Sequence, residues 1–166
     1  MINHLFAACL MMAAQTYSVP PQVLVGILHV EGGRIGQQVP NKNGTYDLGP
    51  MQINTLWLPT LAKNWKVSEK TAWQWVRDDG CTNVNVSAWI LRQNLNATGS
   101  LAKAVAYYHS RTPSLGSKYK SKVVEVMRRK GLLSKPVQAQ AETVNPPKAP
   151  SQRIQLGRYD EAEDKG

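Results

Sequence analysis

Val23, Leu24, Ile27, Leu28 and Glu31 recur at steps of three and four, the spacing of one helix face. The helix they predict begins at Pro20-Pro21, where a missing amide donor costs nothing. It ends at Gly32-Gly33, since glycine lets a chain turn left-handed at a helix end. Upstream, Leu5, Ala8, Cys9 and Met12 share a face and predict a first helix over residues 3–17. Downstream the period disappears. Residues 32–50 hold five Gly, two Pro and two Asn, which predicts a loop or small irregular hairpin turning at Asn43-Gly44.

Helical spacing then returns. A short helix is expected from about Pro59 to Trp65, and Ser68 is placed to cap another in which Trp73 and Val76 share a face. Asp78-Asp79-Gly80 interrupts it. Thr82 is the candidate cap for a helix through Leu95 carrying Val86, Trp89, Ile90 and Leu91. Ser100 opens one more through Tyr108, and residues 117–130 form the last, closed by Gly131. No strand pattern reaches comparable strength, so the expected fold is mainly α.

Length and composition refine this. The 166 residues, 42% hydrophobic with five Trp, suit one domain with a full core. That domain is expected over residues 1–133. From Ser134 the composition shifts to Pro, Gln, Ala and charge, which reads as a disordered tail over 134–166. No apolar run is long enough to span a bilayer. Residues 5–14 resemble a short signal-peptide core, but nothing basic precedes them and no small-x-small site follows. They read instead as the first helix of the mature domain, leaving an export signal weak or not evident.

Charge names a class of partner without choosing among its members. Residues 1–133 carry 15 Lys/Arg against 6 Asp/Glu, a net of +9, while 134–166 carry 5 against 5. A basic domain suits an acidic polymer: DNA, an anionic membrane or cell wall. Lys118, Lys120, Lys122, Arg128, Arg129 and Lys130 concentrate this charge on the last predicted helix, with Tyr119 among them. A basic scaffold or nucleic-acid-binding protein is thus one alternative class, but no base-reading motif accompanies the charge and no nucleic acid is expected. His4, His29 and His109 lack ligand spacing, so neither a metal nor any cofactor is implied. Cys9 and Cys81 are too few for a disulfide framework. Their residues alone leave open a pair or two reduced core thiols.

The candidate chemistry sits at Glu31. It faces the apolar side of its helix and lies at the C-terminus, where the dipole disfavours a negative charge. Both effects raise a carboxyl pKa, as a general acid near neutral pH requires. Pairing with Arg34 or exposure to water is the structural alternative.

Around this residue, Ile27-Leu-His-Val-Glu31-Gly-Gly is followed by Asp47-Leu-Gly49-Pro-Met51-Gln52-Ile53-Asn54 and later by Ala106-Tyr107-Tyr108-His109-Ser110. These motifs, in this order over about residues 5–131, resemble the goose-lysozyme-like lytic transglycosylases. The similarity is greatest to the small ones that accompany conjugation, type III and type IV secretion machines. Gly32 stands where that family usually has Ser, and His109 where it has Asn. The resemblance implies a lysozyme-like single domain acting on peptidoglycan in the periplasm. It implies Glu31 as catalytic acid and then base, with Gly49, Met51, Gln52, Tyr108, His109 and Asp47 around the substrate. It also implies a Cys9–Cys81 disulfide, and a tail that contacts components of the machine served. Met51 is expected in the apolar wall around the acid, and Gln52 on the sugar or on Glu31. Tyr46 and Trp57 are candidates to stack on sugars or to pack in the core. Asp47 carries the competing enzyme class: a second carboxylate across the bond would make a hydrolytic muramidase of the pair. Its structural role would be to hold the Asn43-Gly44 turn.

Overall fold

The computed structural model describes residues 3–133 and 144–150. Seven helices and a small sheet account for the secondary structure of these residues: α1 (His4–Thr16), α2 (Pro21–Glu31), β1 (Gln38–Pro40), β2 (Tyr46–Leu48), β3 (Ile53–Asn54), α3 (Leu58–Trp65), α4 (Glu69–Asp78), α5 (Gly80–Thr98), α6 (Leu101–His109) and α7 (Pro113–Arg129). The mainly α, lysozyme-like single domain is what the sequence predicts. A single 3-10 turn, Thr55–Trp57, joins the sheet to α3.

Short polar side chains start most of these helices by taking up otherwise orphaned amides. Asn3 accepts from the Phe6 N–H, Ser68 from Thr71 and Ser100 from Lys103. Two starts differ from expectation. Asp79, not Thr82, caps α5, because its carboxylate accepts the Thr82 N–H and the helix begins at once on Gly80. The last helix begins at Pro113 rather than Ser117, proline occupying the first turn that needs no donor.

The sheet is antiparallel in the order β1-β2-β3. Its hairpin turns at Asn43-Gly44, with the Asn43 side chain accepting from both the N–H and hydroxyl of Thr45. The third strand, pairing Leu48 with Ile53, is two residues long and leaves no readable alternation.

α5 is the centre of the molecule. Val84, Val86, Ala88 and Leu91 are fully buried, and so are the polar Asn83 and Ser87. α1, α4 and α6 pack against it, while α2 and α6 both pack on α7. A Cys9–Cys81 disulfide ties α1 to the first turn of α5, with Cα atoms 5.3 Å apart, a separation ordinary for such a bond. Residues 5–14 are therefore an integral helix, with Leu10, Ala13 and Ala14 in the core.

The tail expectation over 134–166 lies mostly outside the described residues. Within it, Val144–Pro150 runs against the domain, with Pro147 buried and Val144 on the hydrophobic core. A proline pair has little conformational freedom to lose on docking, so few contacts suffice to hold it.

Candidate active site

Glu31 is the last residue of α2, delivered to the mouth of a cleft by a helix whose Val23, Leu24 and Ile27 are core residues. Its carboxyl is pushed up to about 7, chiefly by burial. The hydroxyl of Tyr119 opposes that shift, and the charge of Asp47 adds to it. Among the described residues Glu31 forms no ion pair.

Gly32 caps α2 in the left-handed conformation (φ 60°). That conformation is costly for serine, the residue the related motif carries here. Gly33 then allows the closest approach in the site. A β-carbon there would lie 2.1 Å from the Gly49 carbonyl oxygen and 2.7 Å from Gln52 Nε2. The helix end and the Gly49-Pro50-Met51-Gln52 turn can meet only because Gly33 has no side chain. Gln52 itself is left-handed (φ 51°), and its side-chain amide donates to the Gly49 carbonyl at 2.9 Å. Of the two expected partners, the sugar or Glu31, no bond to Glu31 forms among the described residues; the amide nitrogen closes the turn, and Gln52 still lines the cleft.

The turn is fixed from behind by Asn83 of α5. The Asn83 amide nitrogen donates to the carbonyls of Leu48 (2.8 Å) and Val76 (2.9 Å), and its oxygen accepts the Met51 N–H (2.8 Å). All three bonds are buried, so Asn83→Ala leaves three backbone groups unpaired. The expected cost is about 3 kcal/mol, read as a lowered denaturation midpoint; a change below about 1 kcal/mol would show that the turn holds without it. Gly49 and Met51 are likewise fully buried and lie behind the cleft rather than on its lining. Met51 acts through its backbone: its carbonyl accepts the Tyr108 hydroxyl at 3.0 Å, and that hydroxyl is also 3.0 Å from Ser87 Oγ.

Tyr119, on α7, is the site neighbour that sequence reasoning passed over. Its buried hydroxyl lies beside the Glu31 carboxyl. Burial first, and then the Glu31 charge, raise the pKa of both Tyr119 and Tyr108, so both phenols stay protonated. The His109 ring stacks on Tyr119, centroids 4.9 Å apart. Tyr119, Val123 and Met127 repeat every four residues and are all buried. That period was available in the sequence, but lysines hid it.

These elements enclose a cleft of about 400 Å³, within the usual range for ligand sites. Glu31, Asp47, Gln52, Tyr108 and His109 all line it, together with Trp57 and Ile53. Asp47 does not hold the Asn43-Gly44 turn. Its carboxylate accepts from the Asn54 side-chain amide at 3.1 Å, across the β2–β3 pair. Tyr46 packs on Trp73 and Trp57 on Trp89, at ring separations of 5.1 and 5.3 Å. Of the two, only Trp57 reaches the cleft lining.

A mainly helical domain with a small three-stranded sheet beside its cleft is a lysozyme-like fold. Comparison with known proteins narrows this. The profile of the transglycosylase SLT domain matches residues 8–123. Invasion protein IagB of Salmonella typhimurium strain SL1344 is 31% identical over 136 residues, covering 77% of this chain and 80% of that protein. The IagB proteins of strain LT2 and of Salmonella typhi match equally. The chain belongs to the SLT transglycosylase domain family, which is a lytic transglycosylase family. Its substrate is peptidoglycan, which places the protein outside the cytoplasm or in the periplasm. No described helix is long and apolar enough to cross a membrane.

Proposed function

We propose that the protein cleaves the β-1,4 bond between N-acetylmuramic acid and N-acetylglucosamine without adding water. Protonated Glu31 gives its proton to the glycosidic oxygen as the C1–O bond breaks and positive charge develops at the muramoyl C1. The carboxylate so formed takes the proton of that sugar's C6 hydroxyl, whose oxygen bonds to C1. The product ends in a 1,6-anhydro sugar, and Glu31 is again protonated. One carboxyl serves both steps.

The observation that carries this reading is the single buried carboxyl raised to about 7 in a cleft whose other carboxylate, Asp47, is held by Asn54. Gln52, Tyr108 and His109 are the proposed substrate contacts. Gly49 and Met51 contribute by shaping the turn, and Trp57, on the cleft lining, is the proposed aromatic to stack on a sugar face. A local role, opening the wall for a conjugation or secretion apparatus, is supported by the relatives named for invasion. The tail beyond the domain is the proposed contact with that apparatus.

Mass spectrometry of digested, purified peptidoglycan tests the reaction. Fragments ending in anhydromuramoyl groups, lighter by one water than reducing ends, are the expected product. Reducing ends alone would show hydrolysis, with Asp47 as the partner carboxylate.

A further inference from the structure

On the face formed by α1, α3 and α5, the chain's own segment Val144–Pro150 crosses the ends of two helices. The Tyr17 hydroxyl donates to the Asn145 carbonyl at 3.3 Å. Two residues on, the Pro147 carbonyl accepts from both the Trp65 indole N–H and the Asn64 side-chain amide, the latter at 3.2 Å. Pro147 is buried between these contacts and Val144 rests on the core.

The chemistry of this lining is selective. Three polar groups of this lining donate hydrogen bonds to the segment: a phenol, an indole and a primary amide. Prolines have carbonyls but no N–H, so a Pro-Pro segment satisfies such a lining and leaves no donor of its own stranded. Tyr17 and Trp65 are each under 10% exposed. The indole N–H of Trp65 therefore needs the Pro147 carbonyl, since a buried donor without a partner is destabilising. Aromatic side chains with donors spaced for alternate carbonyls are how extended proline peptides are recognised elsewhere. Beside the segment a hollow of about 550 Å³, lined by Met12, Thr16 and Asn85, shares no residue with the catalytic cleft.

We propose that Tyr17, Asn64 and Trp65 form a polyproline-recognition site, separate from the cleft, whose occupant is this chain's own Val144–Pro150 segment bound as an intramolecular ligand. The specificity lies in the carbonyls of Asn145 and Pro147 and in the absence of an amide donor at Pro146 and Pro147. Docking holds Val144–Pro150 against residues that do not line the cleft. The tether between Leu133 and Val144 is ten residues long. A segment carried on the same chain binds as an intramolecular ligand, so free peptide must compete with it.

The test uses the full chain and the Trp65 indole ¹H–¹⁵N signal, assigned with Trp65→Phe. Replacing Asn145, Pro146 and Pro147 by Gly, Ser and Gly should move that signal and increase its solvent exchange. A synthetic Val144–Pro150 peptide should then restore it saturably, whereas wild type should need at least about tenfold more peptide because the resident segment competes. A peptide with alanine at both Pro146 and Pro147 should fail to restore it. Tyr17→Phe in the vacated chain keeps the ring and should weaken the peptide about fivefold, the loss of one hydrogen bond. The proposal is overturned by an indole signal unchanged on vacating the segment, by no response to peptide, or by an equal response to the alanine peptide. Loss of the signal's wild-type position on dilution would likewise overturn it, assigning the occupant to a second copy. None of these readings depends on glycan cleavage.

Discussion

Glu31→Gln should abolish release of anhydromuropeptides from purified peptidoglycan, by at least about 10³-fold, while making the protein more stable at alkaline pH. The two effects share one cause. Burial holds the carboxyl at about 7 against 4.5 in an unconstrained glutamate, so the site supplies a proton near neutrality and resists ionisation. A folded-state pKa above the unfolded value means that the native state binds more protons between those two values. Stability therefore falls as pH rises from about 4.5 to about 7, and the full penalty remains above that range. At 1.36 kcal/mol per unit, the 2.5-unit difference between the two values costs about 3 kcal/mol. Glutamine mimics the protonated form and escapes the cost. Denaturation midpoints of the two proteins should coincide at pH 4 and separate at pH 8, with the variant higher. In parallel, kcat/KM of the wild type should decline tenfold per unit above about pH 7. Equal midpoints at pH 8 would show that the carboxylate reaches water, and substantial activity in the variant would remove Glu31 from the chemistry.

What the chain discloses in sequence, and what it withholds, follows from the range over which each interaction acts. Local patterns are legible. The face of Val23, Leu24, Ile27 and Glu31, the glycine stop and the Asn43-Gly44 hairpin are set by neighbours within a few residues, and each appears where expected. The α5 cap falls three residues before the expected Thr82, because three polar side chains within five residues, Asp78, Asp79 and Thr82, can each accept an amide. Gly80, the first residue of α5, sits close against Phe6 and Ile35, contacts from distant parts of the chain that no local pattern announces. Partners from far along the chain leave almost no local trace. Asn83 is one polar residue in a helical run, and nothing near it announces three bonds to residues 48, 51 and 76. Tyr119 sits among lysines that mark a solvated face, yet the helix turns its ring inward. Val144–Pro150 reads as tail by composition, and only the donors of Tyr17, Asn64 and Trp65 give it a place. The residues nearest Glu31 in sequence were readable as a group. Those that hold the group in position were not.

Breaking the Cys9–Cys81 bond should produce the largest loss of stability of any change outside the cleft. The bond joins residues 72 apart, and closing a loop of that length removes enough unfolded-state entropy to contribute about 4 kcal/mol. For a domain whose total stability is on the order of 5–15 kcal/mol, that is a large share. Cys9→Ser with Cys81→Ser should lower the melting temperature by roughly 10–15 °C, and a thiol reductant should do the same to the wild type without affecting the double variant. The site should feel the loss only on warming. α1 packs on α5, and α5 carries Asn83 and Ser87, which hold the Met51 turn and Tyr108 in register behind Glu31. Activity of the double variant at 20 °C should accordingly stay near wild type and collapse at a lower temperature, together with the near-ultraviolet signal of the tryptophans. A melting temperature lowered by less than about 3 °C would mean that packing alone secures α1. A loss of the size expected ties full function to an oxidising compartment, the same side of the membrane on which peptidoglycan lies.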